Sequence, residues 1–197
     1  ASDWSSDVCS SDLHHDWEDN HVLQINREPA RAYFIPFDRQ KGDRMLSLNG
    51  QWQFRGTKTP DERQRNFYRP TFDAASWPTF PVPANWEVNG YGTPIYISAG
   101  YPFKIEPPYV TKEPKKDWTT YEERNPTGQY RRTFILPHDW LNGQTFLRFE
   151  GVMSAFYVWV NGRQAGYSQG SMEPSEFNVT PFLQQGENLI AVEVYKY

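Results

Sequence analysis

The chain has 197 residues, 38% hydrophobic and 17% aromatic, which suits one large all-β domain or two small ones and excludes a disordered chain. A net charge of −4 and a pI near 5.6 leave no footprint for nucleic acid or for an anionic membrane surface. No apolar run reaches the roughly 18 residues of a membrane-spanning helix, and the single cysteine, Cys9, permits neither an internal disulfide nor a multi-cysteine zinc site.

Residues 1–13, ASDWSSDVCSSDL, show neither the period of a strand nor that of a helix. They resemble the in-frame translation of a sequencing-library adapter and are set aside as a non-native tag, which leaves the compartment open. Residues 14–43 are polar and irregular; Tyr33, Phe34 and Phe37 beside Pro36 predict an extended arm pinned by its rings. From residue 44 to residue 197, short strand-like runs alternate with turn residues. The first, LSLNGQWQFR at 46–55, places Asn49-Gly50 ahead of alternating Trp52 and Phe54. In 71–92, Pro78, Pro81 and Pro83 exclude a regular helix and a central strand. A Pro-rich, charged stretch follows at 106–126, where Glu113 and Pro114 interrupt the basic cluster of Lys112, Lys115 and Lys116, so that it reads as a solvated loop.

The second half carries the strongest signal. Residues 128–136, 144–152, 154–168 and 187–197 read as strands. In the third run Phe156, Val158 and Val160 fall on one face, with Tyr157 and Trp159 on the other. Asn161-Gly162 supplies the positive φ angles of a tight hairpin turn. Apart from a helical turn expected at 179–185, the chain is all-β, and short strands with this punctuation predict a jelly-roll or sandwich.

The chemistry is sparse. Glu18/Asp19, Asp61/Glu62 and Glu122/Glu123 are adjacent pairs, and neighbours on an extended chain point to opposite sides, so adjacency does not make a catalytic dyad. The second and third pairs read as solvated loop charge. His138-Asp139 lacks a serine in a strained nucleophile turn, and Gly90-Tyr91-Gly92 has Ile95 where a nucleotide loop needs its third glycine. Both read as turns. Asn178-Val179-Thr180 is a formal glycosylation acceptor without further support. What remains is a surplus of aromatic residues, 8 Trp and 12 Tyr, of the kind that stack on the apolar faces of sugars when they are not core.

Several segments resemble one family in order: DWEDNHVLQINREPARAYFIPF, LSLNGQWQF, VPANWEVNGYGTPIYISAGYPF with PPYV, NPTGQYRRTF, FEGVMSAFYVWVNGRQAGYSQGS and PSEFNVTPFLQQGENLIAVEVYKY. This is similar to the first domain of glycoside hydrolase family 2, and DWE, GYGTPIY and PSEFN resemble its β-galactosidase branch. The resemblance implies a galactose-binding-domain-like jelly roll with an irregular arm. It also implies a parent protein that hydrolyses terminal β-galactosides with retention, using two glutamates on a TIM barrel that this chain lacks. The chain alone is then expected to be inactive, and the parent to be a homo-oligomer. A loop reaching over the galactose pocket is implied at Ser98 and Ala99, where Ser98 replaces the family's asparagine and offers one hydroxyl instead of an amide. The competing reading of Ser98 is a plain loop serine.

The same resemblance implies a magnesium site built from Asp16, Asp19, the Val22 carbonyl and Gln169, weakened because a further family aspartate falls past Tyr197. Head-segment carboxylates that merely cap or solvate are the competing reading. Residues 112–124 form a longer loop than the family carries, with no function assigned. A stand-alone carbohydrate-binding module, a ligand-free adhesion domain, and the same domain from a β-glucuronidase or β-mannosidase stay open as alternatives.

Overall fold

A computed structural model describes residues 15–40, 42–96, 98 and 100–197; the adapter-like residues 1–13, with Cys9, lie outside them. Among the described residues there are eleven strands, in chain order β1 (Gln24–Ile25), β2 (Phe37–Asp38), β3 (Gly42–Asp43), β4 (Gly50–Thr57), β5 (Thr79–Val82), β6 (Thr127–Leu136), β7 (Phe146–Phe149), β8 (Ala155–Val160), β9 (Arg163–Gln169), β10 (Ser175–Asn178) and β11 (Gly186–Tyr195). Helical structure among the described residues is limited to short 3-10 turns, such as Asp16–Glu18 and Thr180–Phe182, the latter inside the stretch expected to hold a helical turn. The all-β class is as the sequence indicates.

The main sheet has the order β1-β9-β8-β11-β6-β4-β5, antiparallel throughout. β10 and β7 form a two-stranded sheet, and β2 pairs with β3 in a small hairpin. Strand β8 shows why this sequence makes this architecture. Every one of its residues is buried, so its alternation separates two cores instead of separating core from solvent. Phe156, Val158 and Val160 join Trp52, Ile190 and Val192 on one side, where Phe149 and Phe177 of the two-stranded sheet close over them. Tyr157 and Trp159 join Tyr167 and Tyr195 on the other. There the cover is the irregular segment 66–77, with Tyr68 stacked on Trp159 at 5.0 Å, together with Trp17 from the arm, stacked on Tyr195 at 4.0 Å. The tight turn is as expected: Asn161 and Gly162 have φ of 52° and 83°.

Two sequence expectations need revision. Of the three rings expected to pin the arm, Phe34 and Phe37 are exposed, and Tyr33 has the Arg148 guanidinium 3.9 Å over its ring. Trp17 anchors it instead, together with the pairing of β1 to β9 and the ion pair of Arg31 with Glu176 at 2.8 Å. The arm is therefore partly a strand of the main sheet. Glu123, expected to be solvated, is buried and accepts a hydrogen bond from the Thr93 hydroxyl at 2.8 Å, while its neighbour Glu122 meets Lys58 at 2.6 Å.

Pro81 and its neighbours form an edge strand, β5, bonded only to β4, which is where proline's missing donor is tolerated.

Candidate functional site

One open groove of about 900 Å³ runs along the end of the main sheet. It is lined by Ile95, Gly100–Phe103 and Ile105–Val110, by Met153–Ala155 and Gln169–Ser171, and by Trp17 and Tyr197. Tyr101 stacks on Phe103 at 5.2 Å, and Phe103 meets Tyr197 at 5.5 Å, so the outer wall leans on the last residue of the chain. Tyr197 is fixed in turn by Asn125, whose side chain pairs with the Tyr197 main chain at 2.9 and 3.0 Å as a neighbouring strand would.

Charge at the groove is mixed. Hydrogen bonds from Lys104 and Lys112 hold the Glu106 carboxyl below its usual pKa. At Lys196, burial works to lower the pKa, but the hydrogen bond and charge of Glu87, 2.6 Å away, more than offset it.

Ser98 stands at an exposed bend between Ile95 and Gly100, both of which line the groove. Ala99 lies outside the described residues. Tyr96 is 91% exposed, an aromatic side chain with nearly all of its surface in solvent.

Of the four residues expected to hold a metal, the structure brings three together. The Gln169 side-chain nitrogen lies 3.4 Å from the main-chain oxygens of both Asp16 and Val22, and donates to the Tyr167 hydroxyl at 2.6 Å. The Asp16 carboxylate accepts the Tyr157 hydroxyl at 2.5 Å. Burial, followed by the bond to Asp16, raises the Tyr157 pKa far above the ordinary phenol value. Asp19 is exposed, and its carboxylate caps the main-chain N–H of His21 at 2.9 Å. Among the described residues no three His, Cys, Asp or Glu side chains gather as a metal cluster; the convergent oxygens here are mainly carbonyls.

Glu18 is the polar contact that sequence reasoning did not assign. Its Oε1 accepts the Val110 N–H at 3.0 Å and the Thr111 hydroxyl at 2.9 Å, across 92 and 93 residues of chain. Only a three-dimensional pairing reveals it, since nothing in DWE foreshadows a partner so distant.

Residues 45–197 match the family described as "Glycosyl hydrolases family 2, sugar binding domain". The chain belongs to that family. Among curated relatives it is 39% identical to a β-galactosidase of Priestia megaterium over 196 residues, covering 92% of this chain and 18% of that protein. It is 43% identical to a β-galactosidase of Vibrio vulnificus, covering 92% and 17%. It thus spans under a fifth of the length of these relatives. Among solved structures, a β-glucuronidase of Bacteroides uniformis superposes with a TM-score of 0.54 at 24% identity, covering 77% of this chain and 14% of the other. One of Bifidobacterium dentium gives 0.52 at 23% identity, covering 75% and 19%. These two likenesses establish the fold.

Proposed function

We propose that this chain is the amino-terminal domain of a retaining β-galactosidase, shaping one side of a galactose pocket whose catalytic groups lie on a barrel elsewhere in a longer polypeptide. The observation that carries the reading is the reach of the match. The family region, residues 45–197, is 153 residues, whereas 92% of 197 is about 181, so at least 28 aligned residues come from the arm before residue 45. The β-glucuronidase structures cover only 75–77% of the chain. The arm is thus shared with proteins named β-galactosidase, and in this chain it lies against the groove through Trp17.

In the parent, one barrel glutamate would attack the anomeric carbon while the other protonates the departing oxygen, and the glycosyl-enzyme would then be hydrolysed with retention. Ser98 and Ala99 would meet the galactose hydroxyls from the rim. Half of the tryptophans and tyrosines that mark this chain are used in its two cores, which favours an accessory role over a sugar platform on a sheet face.

The test is to express the domain in its longer reading frame and assay aryl β-galactoside against aryl β-glucuronide, with the first-formed anomer followed by NMR. Release from the galactoside as the β-anomer is expected, with no release by the 197-residue chain alone. Preference for the glucuronide, or hydrolysis by the isolated chain, would refute the reading.

The Asp16–Val22–Gln169 arrangement fits a hard cation such as magnesium. An amide's two ends are alike in shape, so turning the Gln169 amide over would present its oxygen beside the two carbonyls while accepting the Tyr167 hydroxyl. Those three oxygens, with Asp19 brought in from solvent, would hold the ion, which would tie arm to sheet. Calorimetry should give weak magnesium binding to the chain, abolished in Gln169→Ala.

A further inference from the structure

Glu18 ends the short turn Asp16–Glu18, whose Trp17 lies in the second core and also lines the groove. Its neighbour Trp17 is buried among Tyr157 and Tyr195, which fixes the main chain of the turn against the main sheet. From that fixed base the Glu18 side chain, 9% exposed, takes two donors, the Val110 N–H and the Thr111 hydroxyl, and Val110 itself packs against the second core. His15 Nδ1 stands 3.6 Å from its other oxygen and stacks on Trp17 at 4.7 Å, closing the carboxylate from the solvent side.

The wall that Glu18 holds is tied elsewhere mainly by side chains: Phe103 against Tyr197, Glu106 with Lys104 and Lys112, and Val110 against the second core. Residues 100–110 contain no strand beyond an isolated bridge between Glu106 and Tyr109, and Ile105 and Tyr109 are exposed. An irregular wall keeps its shape only through such ties, because buried acceptors and donors that lose their partners are costly.

We infer that Glu18 is a positioning residue: it fastens the groove wall that leads to Ser98 onto the arm, so that the arm sets how well the rim is placed for a galactoside. This rests on the β-galactosidase reading for the identity of the ligand, but not for the fastening itself. Glu18 is not placed against a reacting atom. It acts through Val110 and Thr111.

Two measurements test it. The first is hydrogen exchange of the 197-residue chain with EDTA present throughout, so that the readout is the hydrogen bonds and not a bound ion. In Glu18→Ala the Val110 amide is expected to exchange about ten- to a hundredfold faster, as loss of a hydrogen bond to a charged group implies. Glu18→Gln, which keeps an oxygen for both donors, should stay close to the parent chain. The second is steady-state kinetics of the same variants in the longer polypeptide, where Glu18→Ala should raise KM for the galactoside about three- to tenfold with kcat held within about twofold, again rescued by Gln.

Should Glu18→Ala fail to fold, Thr111→Val removes one of the two donors without touching the arm and should show a smaller shift in the same direction. Unchanged Val110 exchange in a folded variant would overturn the inference, as would faster exchange with an unchanged KM. A longer polypeptide inactive on galactosides would sink the β-galactosidase reading alone, and the exchange experiment would still decide the fastening.

Discussion

Gly166 is the position where a single methyl group should do most damage. It lies in β9 opposite Val158, where the register between β8 and β9 shifts. A Cβ built there would stand 2.4 Å from two ring carbons of Phe177 and 2.6 Å from the main-chain oxygen of Ile25. Carbon atoms in contact settle near 3.5–4.0 Å, so the ring would have to retreat by about 1 Å or more. Phe177 cannot do so freely, since it is fully buried with Phe149 and Phe156 against its face and edge. Nor can Ile25, which is paired with Tyr167 and holds the arm to the sheet.

Overpacking of this kind costs about 1–3 kcal/mol, and for a domain of this size each kcal/mol lowers Tm by about 2–4 °C. Gly166→Ala should therefore lower Tm by about 2–12 °C, towards the upper end because one of the two obstacles is backbone. Thermal unfolding followed by circular dichroism measures it. Adding Phe177→Leu should recover part of the loss, because the two changes share one space. A Tm within 1 °C of the parent chain would refute the packing argument, as would a double variant no better than the sum of its parts.

Other outcomes follow from the buried polar groups. Burial raises the pKa of Tyr130, Tyr157, Tyr167 and Tyr195 above the ordinary value of 10.0. The unfolded chain then loses protons near pH 10 while the folded chain keeps them, so the contribution of these four tyrosines is constant below pH 10 and stability should fall as pH rises beyond it. Denaturant midpoints between pH 8 and 11 measure this, and a midpoint that holds steady to pH 11 would contradict it. Arg131 is buried and donates to the main-chain oxygens of Phe67, Arg69 and Phe72, holding down the segment that covers the second core. Arg131→Met should cost on the order of 2–4 kcal/mol and open 66–77 to proteases; unchanged cleavage there would show that the rings alone secure it.

How far the sequence discloses this molecule depends on how local the cause is. β8, β9 and β11 are legible because period-two alternation and Asn161-Gly162 act within a few residues. β10 is not singled out as a strand because four residues, SEFN, carry too little pattern, and their strand state comes from pairing with β7. The arm misleads for a different reason. Phe34 and Phe37 look like anchors by composition, but what buries a ring is the surface opposite it, and that surface is presented to Trp17. The site is legible only as far as the resemblance reaches. The approach of Gln169 to Asp16 and Val22 is expected from it, whereas the reach of Glu18 to Val110 is a product of the folded geometry.

The two borders of the main sheet have a practical meaning for any handling of this polypeptide. At one border β1 is only two residues long, and at the other β5 carries Pro81 and is followed by Pro83. An incoming chain seeking to extend the ladder would find a stub on one side and missing donors on the other. Stacking of copies into fibrils by strand addition is discouraged at both ends, so self-association on storage should proceed through the bare side chains of the arm and groove, and mild detergent, more than added salt, should suppress it.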